Sequence, residues 1–178
     1  MAGTRSRGNS PLEDESLGSA LLKSSKDLRE LNPVKAFLQT ALSPLSENPL
    51  SFSPVTLHKT QNVQHLYAQV KTELREYFSN HDILDRIHPT PALCGTPSRQ
   101  AFDLIRKLEP FNRGLYGGAL GWSTEQASEW IVGIRSCFIQ GTRAYLYAGT
   151  GIVQGSDPEE EWEELNQKSR LYDEVFVS

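Results

Sequence analysis

The sequence predicts an α/β chain in which antiparallel strands are covered by helices, and three features point there. Ala101, Leu104, Ile105 and Leu108 recur at i, i+3, i+4 and i+7, the spacing of one helix face. From Val63 to Val70 both alternate sets, Val63/His65/Tyr67 and Leu66/Ala68/Val70, carry apolar or aromatic groups, which favours a strand covered on both faces. Leu115 to Trp122, Trp130 to Ile139 and Arg143 to Gly149 are rich in aromatic and β-branched residues. Short Ser-Thr-Glu and Gln-Gly-Thr breaks separate them, so they read as an antiparallel three-strand meander.

The remaining elements follow in order. Residues 12 to 42 carry Leu17, Leu21, Leu28, Leu31, Val34, Phe37, Leu38 and Leu42 near helical spacing, and Pro33 inside that pattern predicts a kink or break near Asn32. Residues 43 to 60 read as an exposed loop, because Pro44, Pro49 and Pro54 alternate there with Ser43, Ser46, Ser51 and Ser53. Ile83 to Ile87 suits a short helix. Thr96-Pro97 supplies a cap and a first-turn proline for the helix through Leu108. Asp157-Pro158-Glu159-Glu160 starts the last helix, with Asp157 as cap, Pro158 in the first position and Glu160 completing a capping-box pattern.

Composition narrows the function classes. The chain has 178 residues and a formal net charge of −4, from 18 Lys plus Arg against 22 Asp plus Glu. That balance argues against a basic nucleic-acid stripe or a polybasic membrane patch. No apolar run long enough to span a bilayer is present, and the first residues lack both an apolar signal core and the acid-poor texture of a transit peptide. Cys94 and Cys137 form no C-x-x-C pair, so a reducing compartment is expected. The length suits one domain, and a hydrophobic share of 38% leaves a complete core unassured.

Several residues could carry chemistry. Glu161, Glu164 and Lys168 lie at i, i+3 and i+7 on one face of the last helix, and Asp27 and Glu30 repeat the acidic spacing in the first. Carboxylates from separate helices could hold Mg²⁺, although spacing alone favours the commoner reading of solvated helix faces. Gly149-Thr150-Gly151-Ile152-Val153-Gln154-Gly155 is one residue too long for the dinucleotide fingerprint, and no Gly-Lys-Ser/Thr loop exists. Gly117, Gly118, Ala148 and Gly149 instead suggest close backbone approach within strands. Arg135, mid-strand and partly buried, needs an anionic partner that protein or ligand could supply. His65, His88, Cys94 and Cys137 lack zinc spacing, and His65 on a buried strand reads first as a hydrogen-bonded core histidine.

Taken together, a series of stretches resembles the chorismate-utilising enzymes, and within them the isochorismate synthases. They are Ala2-Gly3-Thr4-Arg5, Lys26-Asp27-Leu28-Arg29-Glu30, Val63-Gln64-His65-Leu66, His88-Pro89-Thr90-Pro91-Ala92, Cys94-Gly95, Arg113 to Gly118, Gly133-Ile134-Arg135, Tyr147 to Val153, Gly155-Ser156-Asp157-Pro158, and Glu161-Trp162-x-Glu164-x-x-x-Lys168. The match covers almost the whole chain apart from residues 43 to 60 and the last few.

The resemblance implies a chorismate-binding sandwich, of which residues 1–178 would be the C-terminal part, and addition of water at C2 of chorismate as the C4 hydroxyl leaves. It implies Mg²⁺, with Glu30 and Glu164 as direct ligands and Asp27 and Glu161 acting through waters. Tyr116 and Arg135 match the pair that holds the enolpyruvyl carboxylate. Gly3, Thr4, Gly149 and Lys168 match positions on the ring-carboxylate side, and His65 a histidine near the reacting ring. Ala92 stands where the salicylate and anthranilate branches carry a hydroxyl residue, which favours isochorismate as product for phylloquinone, menaquinone or salicylate synthesis.

Three departures accompany the match: Asp27 for the usual Glu, Leu31 for a His, and Pro33 within the helix. The Lys-Asp-x-x-Glu form looks similar to plant and algal members, which implies a plastid; otherwise the cytoplasm is expected. The family's water-activating lysine and its acid glutamate both precede the Ala-Gly-Thr-Arg motif, so no confident catalytic residue is present, the isolated chain is expected to be inactive, and an N-terminal half is an expected partner. The alternatives are a fragment of an anthranilate or salicylate synthase, and a non-catalytic chorismate-binding or regulatory subunit.

Overall fold

The computed structural model describes residues 1–176 and divides the chain into two compact units, Met1–Pro91 and Ala92–Ser178. The range 1–178 was expected as one piece of one domain; residues 177 and 178 lie outside the described residues. All strand pairs are antiparallel, as expected of the α/β fold with antiparallel strands.

The first unit contains β1 (Ala2–Ser6), α1 (Pro11–Lys23), α2 (Ser25–Leu42), a 3-10 turn (Ser43–Leu45), β2 (Ser51–Phe52), β3 (Thr56–Lys59), β4 (Val63–Tyr67), β5 (Val70–Lys71) and α3 (Asn80–Ile87). β4 is central in a sheet of order β1-β4-β3, and β2 pairs with β5. Gln64, His65 and Leu66 at the middle of β4 are all buried, so the strand is covered on both faces. Leu21 of α1, Leu31 of α2 and Leu66 form the core cluster, with Ala2, Leu28, Val55 and Leu57 packed against it.

Two expectations are corrected here. The break between the first helices falls at Ser24, not near Asn32. Ser24 takes an extended ψ of 111°, its N–H bonds the Leu21 carbonyl, and its hydroxyl accepts from Asp27 N–H, so one residue ends α1 and caps α2. Pro33 is carried inside α2. Its cost of about 3 kcal/mol is offset by burying Leu31 and Leu42, worth about 1.5–3 kcal/mol each. The segment expected as a loop, residues 43 to 60, holds the 3-10 turn, β2 and β3, because its sheet partners Val70–Lys71 and Gln64–Tyr67 lie beyond it in sequence.

The second unit contains α4 (Pro91–Cys94, beginning at the boundary), α5 (Ser98–Leu108), β6 (Ala119–Ser123), β7 (Ser128–Val132), β8 (Ser136–Gln140), β9 (Arg143–Tyr147) and α6 (Pro158–Phe176). The expected meander is instead two hairpins, β6-β7 and β8-β9. Trp130 to Ile139 is interrupted at Gly133–Arg135, where Arg135 has a φ of +48°, outside strand geometry. Arg135 is therefore exposed in a link and not partly buried mid-strand. Gly117, Gly118, Ala148 and Gly149 likewise lie just outside the strands. Pro97 keeps an extended ψ of 136° and is itself the cap of α5, without a side-chain bond, so Thr96 lies too far out to cap. Asp157 caps α6 as expected, accepting from Glu159 and Glu160 N–H.

The buried apolar side chains are unevenly divided. Leu21, Leu31, Leu42, Leu45 and Leu66 belong to the first unit, whereas Cys94 and Tyr172 are those of the second among the described residues. Trp122, Ile131, Phe138, Ile139, Leu104 and Leu108 of the second unit are exposed. Among the described residues no helix is long and apolar enough to cross a membrane.

The first unit is pinned by a buried acid. Asp14 on α1 receives Arg7 Nε at 2.7 Å and Nη2 at 3.0 Å, Lys59 Nζ at 2.7 Å and Gly8 N–H at 3.0 Å. These donors, the Arg7 hydrogen bonds first, hold the carboxyl well below the usual carboxylate range. A depressed folded-state value contributes stability in full above the unfolded value near 3.9, and that contribution is lost as pH falls further. Asp14→Asn should therefore unfold at lower urea than the parent at pH 7, with the gap closing on acidification below about pH 4. A gap independent of pH would show that the charge of Asp14 contributes nothing.

Candidate functional site

The candidate residues fall into one group in each unit. In the first, β1 wraps the start of α2. Gly3 has a φ of +60°, and a Cβ there would lie 2.4 Å from Asp27 Oδ1, so only glycine lets the strand approach the acid so closely. Two residues on, Arg5 Nη2 pairs with Asp27 Oδ2 at 3.0 Å while its Nη1 donates to the Thr4 carbonyl at 2.7 Å. Asp27 is 3% exposed. Glu30, one turn later on the same face, is half-buried.

His65 meets the same strand from β4. Its Nδ1 is 2.9 Å from the Gly3 carbonyl oxygen and 3.2 Å from Thr4 Oγ1. A carbonyl only accepts, so Nδ1 carries the proton toward Gly3 and the neutral tautomer has its lone pair on Nε2. Gly3, Thr4 and His65 are thus brought together by the β1-β4 pairing, whose register shifts between Ala2 and Arg5, and Asp27 joins them from α2 through Arg5.

In the second unit α6 and the segment after β9 form the frame. Lys168 Nζ donates to the Gly149 carbonyl at 3.0 Å and pairs with Glu164 at 2.7 Å. One turn before Glu164, Glu161 is 4% exposed and accepts from Thr150 Oγ1 at 2.5 Å. A Cβ on Gly149 would lie 2.4 Å from the Tyr116 hydroxyl, so the bare backbone makes room for that phenol. Tyr116 stacks on Tyr147 with centroids 5.5 Å apart. The buried Tyr172 on α6 reaches the carbonyls of Tyr147 and Ser136, opposed residues at one end of the β8-β9 hairpin, at 2.6 and 3.1 Å.

Burial pushes the Tyr116 phenol up, while the charges of Arg113 and Arg135 act the other way, which puts Arg135 within electrostatic reach of Tyr116. Arg113 grips Glu109 through Nε at 2.7 Å and Nη2 at 2.5 Å and donates through Nη1 to the Leu93 carbonyl at 2.8 Å. Ala92, beside Leu93, is exposed on α4.

Neither unit gathers three or more His, Cys, Asp or Glu side chains among its described residues into a group able to hold a metal. The acid pairs expected from the sequence fall one in each unit, Asp27 with Glu30 and Glu161 with Glu164, and Asp27 is paired to Arg5 and Glu164 to Lys168. An all-oxygen donor set suits Mg²⁺, which takes one or two protein carboxylates and completes its shell with waters and substrate oxygens. The donor chemistry therefore fits that ion.

The profile of the family described as chorismate binding enzyme matches residues 1–173. The chain belongs to the chorismate binding enzyme family. It is 41% identical over 170 residues to isochorismate synthase MenF of Bacillus subtilis, covering 94% of this chain and 36% of that protein. It is 39% identical over 169 residues to the chloroplastic isochorismate synthase 2 of Arabidopsis thaliana, covering 94% of this chain and 30% of that protein. Among solved structures, a putative 2,3-dihydroxybenzoate-specific isochorismate synthase, DhbC from Bacillus anthracis, superposes with a TM-score of 0.91 at 37% identity, covering 99% of this chain and 48% of that one. The chain spans about a third of the length of these two curated relatives.

Within this member of the family, sequence reasoning gave no role to Arg5, Arg113, Thr150 or Tyr172. Arg5, Arg113 and Thr150 stand inside stretches that carried the resemblance, so a signal was present. Tyr172 had none, because its hydroxyl contacts lie 25 and 36 residues away.

The close approach at Gly149 is testable. Gly149→Ala should destabilise the chain by about 1–3 kcal/mol, because the stacked Tyr116 ring has little room to yield. Tyr116→Phe, which removes the obstructing oxygen, should recover part of that loss in a double-mutant cycle by chemical denaturation. Additive effects would mean that the two groups do not meet.

Proposed function

We propose that this chain is the metal- and substrate-holding part of an isochorismate synthase, acting with further sequence that supplies the water-activating lysine and the acid glutamate. The observation that carries the metal reading is that Asp27 and Glu161 are 3% and 4% exposed, so neither lies on a solvated helix face, even though Arg5 and Thr150 already meet them. A solvated helix face would leave both acids in water, whereas a buried carboxylate is costly unless donors or a cation answer it. Similarity to isochorismate synthases over 94% of the chain supports the choice of reaction.

In this reading Glu30 and Glu164 are the direct Mg²⁺ ligands, with Asp27 and Glu161 bonding the ion's waters. The ion, when bound, offsets the charge of the substrate's ring carboxylate. By resemblance, Gly3 and Thr4 in the first unit and Gly149 and Lys168 in the second match positions on the ring-carboxylate side, and Lys168 holds the Gly149 carbonyl. Arg135 offers its guanidinium fork, and Tyr116 its phenol, to the enolpyruvyl carboxylate. His65, oriented by the Gly3 carbonyl, faces the ring. Ala92 presents a methyl group where the salicylate and anthranilate branches usually carry a hydroxyl residue, which supports isochorismate as product. The exposed apolar faces of the second unit are where the rest of such an enzyme would pack. Likeness to a chloroplastic relative supports a plastid setting.

General acid–base groups contribute roughly 10²–10⁴-fold each, so this chain alone should form no detectable isochorismate from chorismate and Mg²⁺ by chromatographic assay. Joined to the N-terminal part of the Bacillus subtilis relative, it should turn over. In that hybrid Glu30→Gln and Glu164→Gln should each lose most activity and require more Mg²⁺, while Glu159→Gln changes little. Equal behaviour of all three would return the acids to a structural role. Arg135→Ala in the same hybrid should raise KM and lower kcat/KM by about tenfold or more, the loss of a charge-assisted contact. Unchanged kinetics would remove Arg135 from the substrate site.

A further inference from the structure

The segment after β9 is tied to α6 by two successive residues. Gly149 accepts from Lys168 through its carbonyl at 3.0 Å, and Thr150 donates its hydroxyl to Glu161 Oε2 at 2.5 Å. Lys168 and Glu161 are seven residues apart on α6, two turns along one face, so the strap fixes both ends of the stripe that carries Glu164 between them. The Lys168 contact involves a backbone carbonyl, which any residue at 149 would present. The Thr150 contact depends on the side chain.

Glu161 has three side-chain torsions, and held in the interior it must point its carboxylate one way to serve a cation. A hydroxyl donates one hydrogen bond, and an ionised carboxylate has lone pairs for several partners, so this contact orients Glu161 without exhausting it. The geometry points to Thr150 as a positioning residue for the Mg²⁺ site: its hydroxyl sets the orientation of the Glu161 carboxylate toward the ion's water shell. Thr150 touches neither substrate nor metal and acts through Glu161. The inference rests on the metal reading of Glu161 proposed above.

The test uses the full 178-residue chain with chorismate in excess and Mn²⁺ as a paramagnetic probe for the Mg²⁺ site, free Mn²⁺ being counted by electron paramagnetic resonance. Thr150→Val keeps the shape and removes the donor. It should weaken Mn²⁺ binding by roughly 10- to 100-fold, the range for losing an outer partner of a metal site. Thr150→Ser restores the hydroxyl and should bind Mn²⁺ like the parent. Thr150→Val should also unfold at a lower temperature when metal-free, because the buried Glu161 loses a donor, so Mn²⁺ binding is compared where every variant is folded, and Thr150→Ala repeats the loss of the donor should Val prove too bulky to fold. Glu161→Gln should weaken binding at least as much as Thr150→Val. If Glu161→Gln weakens binding while Thr150→Val and Thr150→Ala do not, Thr150 is not a positioning residue and the metal reading stands. If Glu161→Gln binds Mn²⁺ like the parent, or the parent binds none, the metal reading falls and the inference with it.

Discussion

A carboxylate taken out of water must be answered by donors or by a cation, and this constraint organises the chain. Asp14, Asp27 and Glu161 are 7%, 3% and 4% exposed, and each is met by a group from another element. Arg7 and Lys59 meet Asp14, which ties the residues after β1 and the end of β3 to α1. Arg5 meets Asp27 and seats β1 against the first turn of α2. Thr150 meets Glu161 and straps the segment after β9 onto α6. Removing a partner would leave a buried charge that costs more than the contact itself contributes. The acids therefore fix the relative placement of elements within each unit.

The two units meet this constraint against different backgrounds. The first has a leucine cluster around β4, with strands on both sides of it and two helices packed against it, so its polar contacts add orientation to an existing core. The second has two-stranded sheets with many exposed apolar side chains and few buried ones among its described residues. Its order rests more heavily on directed polar contacts: Arg113 on Glu109 and Leu93, Lys168 on Gly149 and Glu164, and Tyr172 on Tyr147 and Ser136. Two-stranded hairpins are at best marginal alone in water, so such ties and apolar cover from elsewhere serve the same end.

Much of the fold was legible wherever a signal was local. The repeat of Ala101, Leu104, Ile105 and Leu108 marked α5, and Asp157-Pro158 marked the start of α6, because caps and helix faces depend on residues within one or two turns. The break at Ser24 was missed because the rule for Pro33 is strong locally, and only the burial of Leu31 and Leu42 overrides it. The link at Gly133–Arg135 was missed because aromatic and β-branched residues continue on both sides of it. A positive φ at an arginine has no sequence signature. Strands β2 and β3 were hidden among prolines and serines, since what makes them strands is a partner later in the chain.

The sequence by itself determined membership of the chorismate binding enzyme family, because that depends only on the order and spacing of residues, and it offered the acids Asp27, Glu30, Glu161 and Glu164 as candidates. Tertiary structure alone decided which of those acids are buried and what answers them. Arg5 and Asp27 are 22 residues apart, Thr150 and Glu161 are 11 apart, and Gly3 and His65 are 62 apart. Such pairs are set by strand register and helix packing, and burial is a collective property of the folded chain that no local pattern encodes.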